Sequence, residues 1–543
     1  MGKISSLFKL RPFVKKYRGI FILGILGMII SSIVQTPVPY IIGYLMDKVL
    51  LNKRSYNKLY MYILIIAVLY ILRYIISYLS KCVFVKVSNL VVNEMRCSVM
   101  DKVMNLPMSY LSKTEKGYVQ SRINECNSIG NIFSPSIISV FLSIIDAILA
   151  MITMFLVNYK LAFIALLLAP VFFFLSKLSA EKFMKNTRAM MESSAFLNGE
   201  SFEIMNGIED IKILNGKKDK LDKFKEKLEE LINVSIKQSK SIVLFIENTQ
   251  VVSNFGSLII LLIAGILILN GQFTIGLYTS FSMYIGKVFS SAGAIATMGT
   301  TIKPVCLNIE RLYELLEMKD ENYGRDKFID KKIKDIKLEN VSFKYDENKT
   351  VLKSLSFRIK DGEKVLIKGE NGAGKSTLIK LLLGLYSTTS GKLLYNNVDI
   401  NEINTESLRK RIGIVSQNIF LFKGTVLSNI LYGQTGKSIK DVEEIIKKLR
   451  LEEYVNKMPK GLNTEITQNT SGVSGGQAQI IAFIRAMLGE KDIIILDEPI
   501  SNVDASTREV VMNILSRKSF GGILIVVSHL IEGMDFINRV IEI

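Results

Sequence analysis

One histidine and four cysteines are the only imidazole and thiol groups in this 543-residue chain. None of the cysteines forms a CxxC, and a single His529 cannot complete a zinc shell, so zinc sites of the usual kinds are excluded. Cys82, Cys97, Cys126 and Cys306 fall in segments that read as cytoplasmic, where thiols stay reduced, so no disulfide is expected. A basic-aromatic recognition pattern is also missing. The formal net charge of +19 therefore does not point to nucleic acid. In a chain with long apolar runs, Lys and Arg gather beside anionic lipid. The basic N-terminal stretch (Lys9, Arg11, Lys15, Lys16, Arg18) has no small-residue cleavage site after it. Its apolar run is too long for a signal peptide, and the first apolar segment is expected to remain as an anchor. Proline is scarce as well. Of nine prolines, only Pro107 and Pro135 lie in the two long polar segments 80–135 and 176–241. These read as helices continuing past a bilayer, because structureless segments of that length are uncommon.

What is present divides in two. The first part holds six apolar stretches near the length a bilayer requires, at 20–46, 59–79, 137–157, 161–175, 242–269 and 273–298. Pro37 and Pro39 predict a kink in the first. Asn158-Tyr159-Lys160 and Asn270-Gly271-Gln272 predict tight hairpins after the third and fifth. The long polar segments are rich in Lys and Arg, whereas these two hairpins hold only Lys160. That asymmetry predicts a cytoplasmic N-terminus, cytoplasmic extensions and a cytoplasmic C-terminal part. The loop 47–58, with Lys48, Lys53, Arg54 and Lys58, departs from the rule. Arg73, Asp146, Glu247 and Lys287 are ionisable residues inside spans, where charge is costly, so each is expected to face protein or water. Glu247, Gln250 and Asn254 share one helical face by spacing. That face reads either as the lining of a substrate cavity or as ordinary helix–helix hydrogen bonding.

The second part carries a phosphate-loop pattern, Gly369-Glu370-Asn371-Gly372-Ala373-Gly374-Lys375-Ser376. The apolar stretch 364–368 precedes it and a helix-like stretch from Ser376 follows. Strand, glycine loop and helix together form a cradle of backbone N–H groups at a helix N-terminus. Lys375 would reach the β- and γ-phosphates, and Ser376 would ligate Mg²⁺. Downstream, Ile493-Ile494-Ile495-Leu496 reads as a buried strand ending in Asp497, a metal-holding carboxylate, and Glu498, a general base. His529 follows another apolar stretch and is expected at the same sheet edge, in reach of the γ-phosphate.

With these residues in order, the chain resembles an ABC transporter half-molecule of the exporter type, bacterial in composition, and the resemblance covers nearly its whole length. The resemblance implies an all-α six-helix transmembrane domain with long cytoplasmic helical extensions, followed by an α/β P-loop NTPase domain of ABC type. The limits expected are 1–318 for the membrane domain, 319–335 for a linker and 336–543 for the ATP-binding domain. It implies Tyr345 as the adenine-stacking aromatic, and Gly369 to Ser376 with Thr377 as the Walker A region. Gln417 would be the Q-loop glutamine, a further metal contact. The signature is Val473 with Ser474, Gly475, Gly476 and Gln477, and Ser501 to Asp504 form the D-loop. His529 is the switch histidine. Leu106 to Leu111 resembles the first intracellular loop, and Gly207 to Lys212 the segment before the fifth helix.

ATP and Mg²⁺ are the implied ligands. The implied partner is a second half-transporter chain, in a homodimer or a heterodimer, within a lipid bilayer. Each ATP would lie between one Walker A loop and the other chain's signature. The chain departs from the family pattern at Val473, at Ala478 and Ile480 where arginines are common, in 464–470, and in how soon it ends after His529. Efflux of a peptide, lipid or amphipathic drug is one reading. An ATP-gated regulatory membrane protein and an importer on the same fold are the alternatives. Coupled leader-peptide cleavage is not expected, since no N-terminal Cys/His peptidase region precedes the spans.

Overall fold

The structure is a computed structural model that describes residues 4–51, 56–114, 116–346, 349–370, 372–467, 473–499, 505–516, 521–529 and 534–543. By packing it divides into two units. One comprises Met1–Asp101 and Gly117–Glu317, the other Lys102–Lys116 and Met318–Ile543.

The first unit is helical. Its principal helices are Arg18–Gln35, Pro37–Leu45, Tyr56–Asn105, Pro135–Val157, Tyr159–Asn206, Lys217–Leu269 and Ile275–Leu316. Their ends follow from local chemistry. Thr36 separates the first two helices at the Pro37 boundary. Pro135 takes the first position of its helix, where its missing N–H costs nothing, and the Ser134 hydroxyl accepts from Ile137 N at 3.5 Å. Asn158 alone separates two helices, and its side chain accepts from the amides of Lys160 and Leu161, both at 3.1 Å. Gly271 turns the next hairpin at φ +68°, and Thr274 caps the helix after it through Leu277 N at 3.2 Å.

Among the described residues four helical spans are long and apolar enough to cross a membrane: Arg18–Leu50, Tyr56–Asn105, Arg122–Val157 and Lys217–Leu269. The expected number of six is not reached on that measure. The side chains of 167–180 lie outside those described, and 273–298 is diluted by serine, glycine and Lys287. Leu64 is 65 % exposed and Ile71 59 % exposed on the membrane part of Tyr56–Asn105. Apolar surface of that extent suits lipid. The interior of the bundle is built from small and aromatic residues, with Ala150, Met154, Ala264, Phe281 and Tyr284 in one cluster. At the crossing of Gly43 and Gly276, a Cβ on Gly276 would stand 2.0 Å from Gly43 O. Only glycine permits that approach.

The second unit is an α/β domain. A four-stranded antiparallel sheet has the order β2-β1-β4-β5. Its strands are β1 (Asp335–Asp346), β2 (Lys349–Lys360), β4 (Ser390–Tyr395) and β5 (Val398–Asp399). A five-stranded sheet has the order β11-β3-β10-β9-β6, and all its pairings are parallel. It is formed by β3 (Lys364–Lys368), β6 (Ile412–Val415), β9 (Ile493–Asp497), β10 (Ile523–Val527) and β11 (Arg539–Glu542). A short pair, β7 (Gly424–Thr425) with β8 (Glu465–Ile466), completes the strands. Ile493 to Leu496 and Ile523 to Val527 are at most 2 % exposed, as expected for parallel strands covered on both faces. One core fills the space between the two sheets and the helix Lys375–Leu382, the other lies under the helix Gly475–Met487. Met108, from Lys102–Lys116, packs against the first of these cores.

Candidate nucleotide site

The parallel sheet brings the predicted residues to one edge. β3 ends at the glycine loop, β10 at Ser528 and His529, β9 at Asp497 and Glu498, and β6 two residues before Gln417. Since these four strands are consecutive neighbours running the same way, their carboxyl ends form a single row.

In the glycine loop, Gly372 and Gly374 have φ of +90° and +100°. A Cβ on Gly374 would lie 2.6 Å from Leu352 Cδ2, so glycine is required there twice over. Lys375 is 8 % exposed. Its ammonium donates to Gly369 O at 2.7 Å and Glu370 O at 2.9 Å, curling back over the loop it would serve. Ser376 is exposed at the start of the helix. Thr377 is turned inward, and its hydroxyl meets Tyr345 OH at 3.2 Å. Tyr345 packs edge-on against Phe343 and Tyr386, with ring centroids 4.8 and 5.3 Å away. Asn371 and Asp504 lie outside the described residues, as does the rest of 501–504.

Glu498 is the centre of the row. Gln417 Nε2 donates to its Oε2 at 2.8 Å, and His529 Nδ1 lies 3.6 Å from Oε1. Its backbone is left-handed, φ +49°, held by its amide donating to Val527 O at 2.8 Å. The side chain of Glu498 is 15 % exposed and that of His529 52 %. Burial raises the Asp497 carboxyl above its ordinary value, and the charge of Glu498 raises it further, while Lys375 and Lys380 pull it back down.

The signature lies at a helix start. Ser474 Oγ accepts from Gln477 N at 3.2 Å, and Gln477 Oε1 accepts from Ser474 N at 2.9 Å, a reciprocal cap. Among the described residues these side-chain bonds stay within the cap and none reaches the glycine loop. The departures at Ala478 and Ile480 have a packing reason, since these residues are 6 % and 1 % exposed in the core under that helix.

Two residues were not singled out by sequence. Gln479 is buried, and its Nε2 donates to Pro499 O at 2.9 Å, tying the signature helix to the chain just past Glu498. A lone amide within the apolar run Ala478 to Phe483 was the available signal. Lys380 lies one turn past Ser376, with its ammonium 5.6 Å from the centre of the Tyr345 ring. In the membrane unit, Glu247, Gln250 and Asn254 are exposed on one helix, with Gln250 Nε2 donating to Asn254 Oδ1 at 3.1 Å.

The chain matches two family models, the ABC transporter transmembrane region over residues 21–292 and ABC transporter over residues 352–501. It is 27 % identical to an uncharacterized ABC transporter ATP-binding protein, YfiC, of Bacillus subtilis, over 99 % of this chain and 89 % of the relative. It is 26 % identical to the lactococcin-A transport/processing ATP-binding protein LcnC of Lactococcus lactis, over 99 % and 75 %. A putative multidrug export ATP-binding/permease protein of Bacillus subtilis, YgaD, is 24 % identical over 97 % and 93 %. With a transmembrane region and an ATP-binding, ATP-hydrolysing domain fused in one polypeptide, the chain belongs to the ABC transporter family as an exporter-type half-molecule.

Proposed function

We propose that two such half-molecules, identical or not, form an exporter that drives amphipathic molecules out across the cell membrane. The single observation that supports this most is the Glu498 carboxylate held between Gln417 and His529 beside the glycine loop. A gating protein has no need of a positioned base, whereas a turnover enzyme does. The N-terminus and the ATPase domain are taken as cytoplasmic, with limits 1–318, 319–335 and 336–543 for membrane domain, linker and ATP-binding domain.

In this reading Gly369 to Thr377 cradle the phosphates and Tyr345 borders the adenine. Mg²⁺ fits the residues present. Ser376 hydroxyl, Gln417 carbonyl and Asp497 carboxylate are an all-oxygen set suited to a hard cation. Gln417 gives only its nitrogen to Glu498, so its oxygen is left for the metal. When bound, the ion neutralises the charge that develops on the transferred phosphoryl group. Glu498 takes the proton of the attacking water, and His529 holds the γ-phosphate side of the site. The amides of Gly475 and Gly476, with Ser474 and Gln477, would face the γ-phosphate bound by the other chain, and Asp504 would lie at the same interface. ATP then joins the two domains, hydrolysis parts them, and the membrane helices alternate their access. Glu247, Gln250 and Asn254 would line the path.

The test is reconstitution in liposomes with ATP outside and a panel of peptides, lipids and amphipathic drugs. Accumulation of panel members in the lumen that requires ATP and is lost in Lys375→Ala supports the reading. Steady ATP turnover with no movement of any member overturns it in favour of an ATP-gated regulator.

A further inference from the structure

Arg73, Asp146 and Lys287 place three charges of unequal sign in the middle of the membrane unit. Arg73 Nη2 lies 3.7 Å from Asp146 Oδ2, with the two side chains 30 % and 13 % exposed. Helix register brings Lys287 to the same level. Ser291 Oγ donates to Ser143 O at 2.5 Å, so in this antiparallel pair the turn before Ser291 faces the turn after Ser143. The Lys287 ammonium is within electrostatic reach of both Asp146 and Arg73. That ammonium is 6.0 Å from the centre of the Tyr284 ring, and among the described residues it forms no ion pair. Asp146 Oδ1 is buried without a hydrogen-bond partner.

From the hairpin ends of their helices the three residues lie roughly 16 to 26 Å along the axis, within a hydrocarbon core of about 30 Å. Charges at that depth persist where they are paired or line a pathway. One carboxylate neutralises one cation, and one positive charge remains. A pair that only fastened Tyr56–Asn105 to Pro135–Val157 would need neither Lys287 nor a carboxylate oxygen lacking a donor. Tyr284, one turn from Lys287, also borders a cavity of about 470 Å³ lined by Thr36, Tyr40, Thr153, Leu156 and Leu277, which lies toward the hairpin ends of these helices.

We infer that Arg73, Lys287 and Asp146 form a mid-membrane site for an anionic group, carboxylate or phosphate, on an amphipathic transported molecule. The surplus cation attracts the anion, and Asp146 Oδ1 accepts an N–H or O–H from the same molecule. This inference rests on the exporter reading above. The test uses the full chain in nanodiscs of phosphatidylcholine, with ATPase followed against dodecyl phosphate, dodecyl maltoside and dodecyltrimethylammonium. Dodecyl phosphate is expected to change turnover at the lowest concentration. Lys287→Gln and Arg73→Gln should each raise its half-effect concentration about tenfold, and Asp146→Asn should lower it, since one charge contact is lost or one opposing charge removed. Lys287→Gln leaves the Arg73–Asp146 pair whole, so it reads the site even where Arg73→Gln fails to fold.

Replacing part of the phosphatidylcholine by phosphatidylglycerol separates the two sources of the anion. A response to the lipid itself marks a headgroup as the occupant, and an unchanged dodecyl phosphate response marks a free amphiphile. Either supports the site. Equal responses to all three probes, or variants that shift the neutral probe as much as the anionic one, overturn it while leaving the exporter reading intact. Wild-type turnover that answers to no probe, with a panel member still moved in liposomes, also overturns the site, whereas no movement of any panel member overturns the exporter reading instead.

Discussion

Gln417 and Glu498, 81 residues apart, are joined side chain to side chain by a 2.8 Å hydrogen bond from Nε2 to Oε2. The bond fixes which way the carboxylate points. It also leaves the other oxygen toward His529.

Glu498→Gln keeps the size and the neighbours of that side chain but removes the proton acceptor. Turnover is expected to fall by about 10²- to 10⁴-fold, with ATP still bound. Phosphate release and retention of labelled nucleotide measure the two effects. Gln417→Ala should lose less, because His529 still faces the carboxylate. A Glu498→Gln protein that releases phosphate within about threefold of the normal rate removes Glu498 from the role of base.

Gly374→Ala and Gly362→Ala form a matched pair. Both positions have positive φ, +100° and +84°, but only Gly374 has a neighbour at 2.6 Å from a built Cβ, and nothing lies within 4 Å of that on Gly362. Both are expected to cost torsional strain of about 1–3 kcal/mol. Only Gly374→Ala should also deform the loop and weaken ATP binding, read by nucleotide titration. Equal ATP affinities in the two variants contradict the steric argument.

Asp497 predicts an opposition between stability and activity. Burial and then Glu498 raise its pKa above the ordinary 3.8, so the folded chain binds this proton more tightly than the unfolded chain. The stabilisation is fully present below 3.8 and is lost as pH rises through the raised value. At pH about 7, without metal or nucleotide, the charged group therefore costs stability. Asp497→Asn should raise the melting temperature there, by an amount that shrinks as the pH is lowered into that window. The same variant should lose Mg²⁺-dependent hydrolysis. A lower melting temperature at neutral pH, in the presence of a chelator, would contradict the assignment of burial as the main cause.

Residues whose role depends on local chain geometry were legible in the sequence. Gly372, Gly374 and Lys375 form a loop within a few residues, and Ile493 to Leu496 announce a buried strand that must end where Asp497 begins. The parallel sheet follows from such strands, and its edge collects Gln417 and His529 with them. Contacts made by packing were not legible. Gln479 reads as one polar residue in an apolar helix, and only the fold shows Pro499 O above it. Ala478 and Ile480 read as departures from the family pattern, and the fold shows them filling the core. Arg73 and Asp146 were recognised separately as charges in apolar helices, but 73 residues separate them and no local pattern predicts their approach. The face carrying Glu247, Gln250 and Asn254 was legible as a face, because spacing determines that. What it confronts depends on surfaces beyond its own helix.

The reciprocal cap of Ser474 and Gln477 has a consequence for divergence. Because those two side chains answer each other, what the helix start turns outward is peptide backbone, the amides of Gly475 and Gly476. A surface made of main chain looks the same whatever side chains surround it. Two half-molecules could drift far apart in sequence and still present interchangeable ends, provided each keeps a helix beginning at that point. The residue before the cap is then free to change, as Leu has to Val473 here. Mixed and self pairings of such chains would be told apart elsewhere on the molecule.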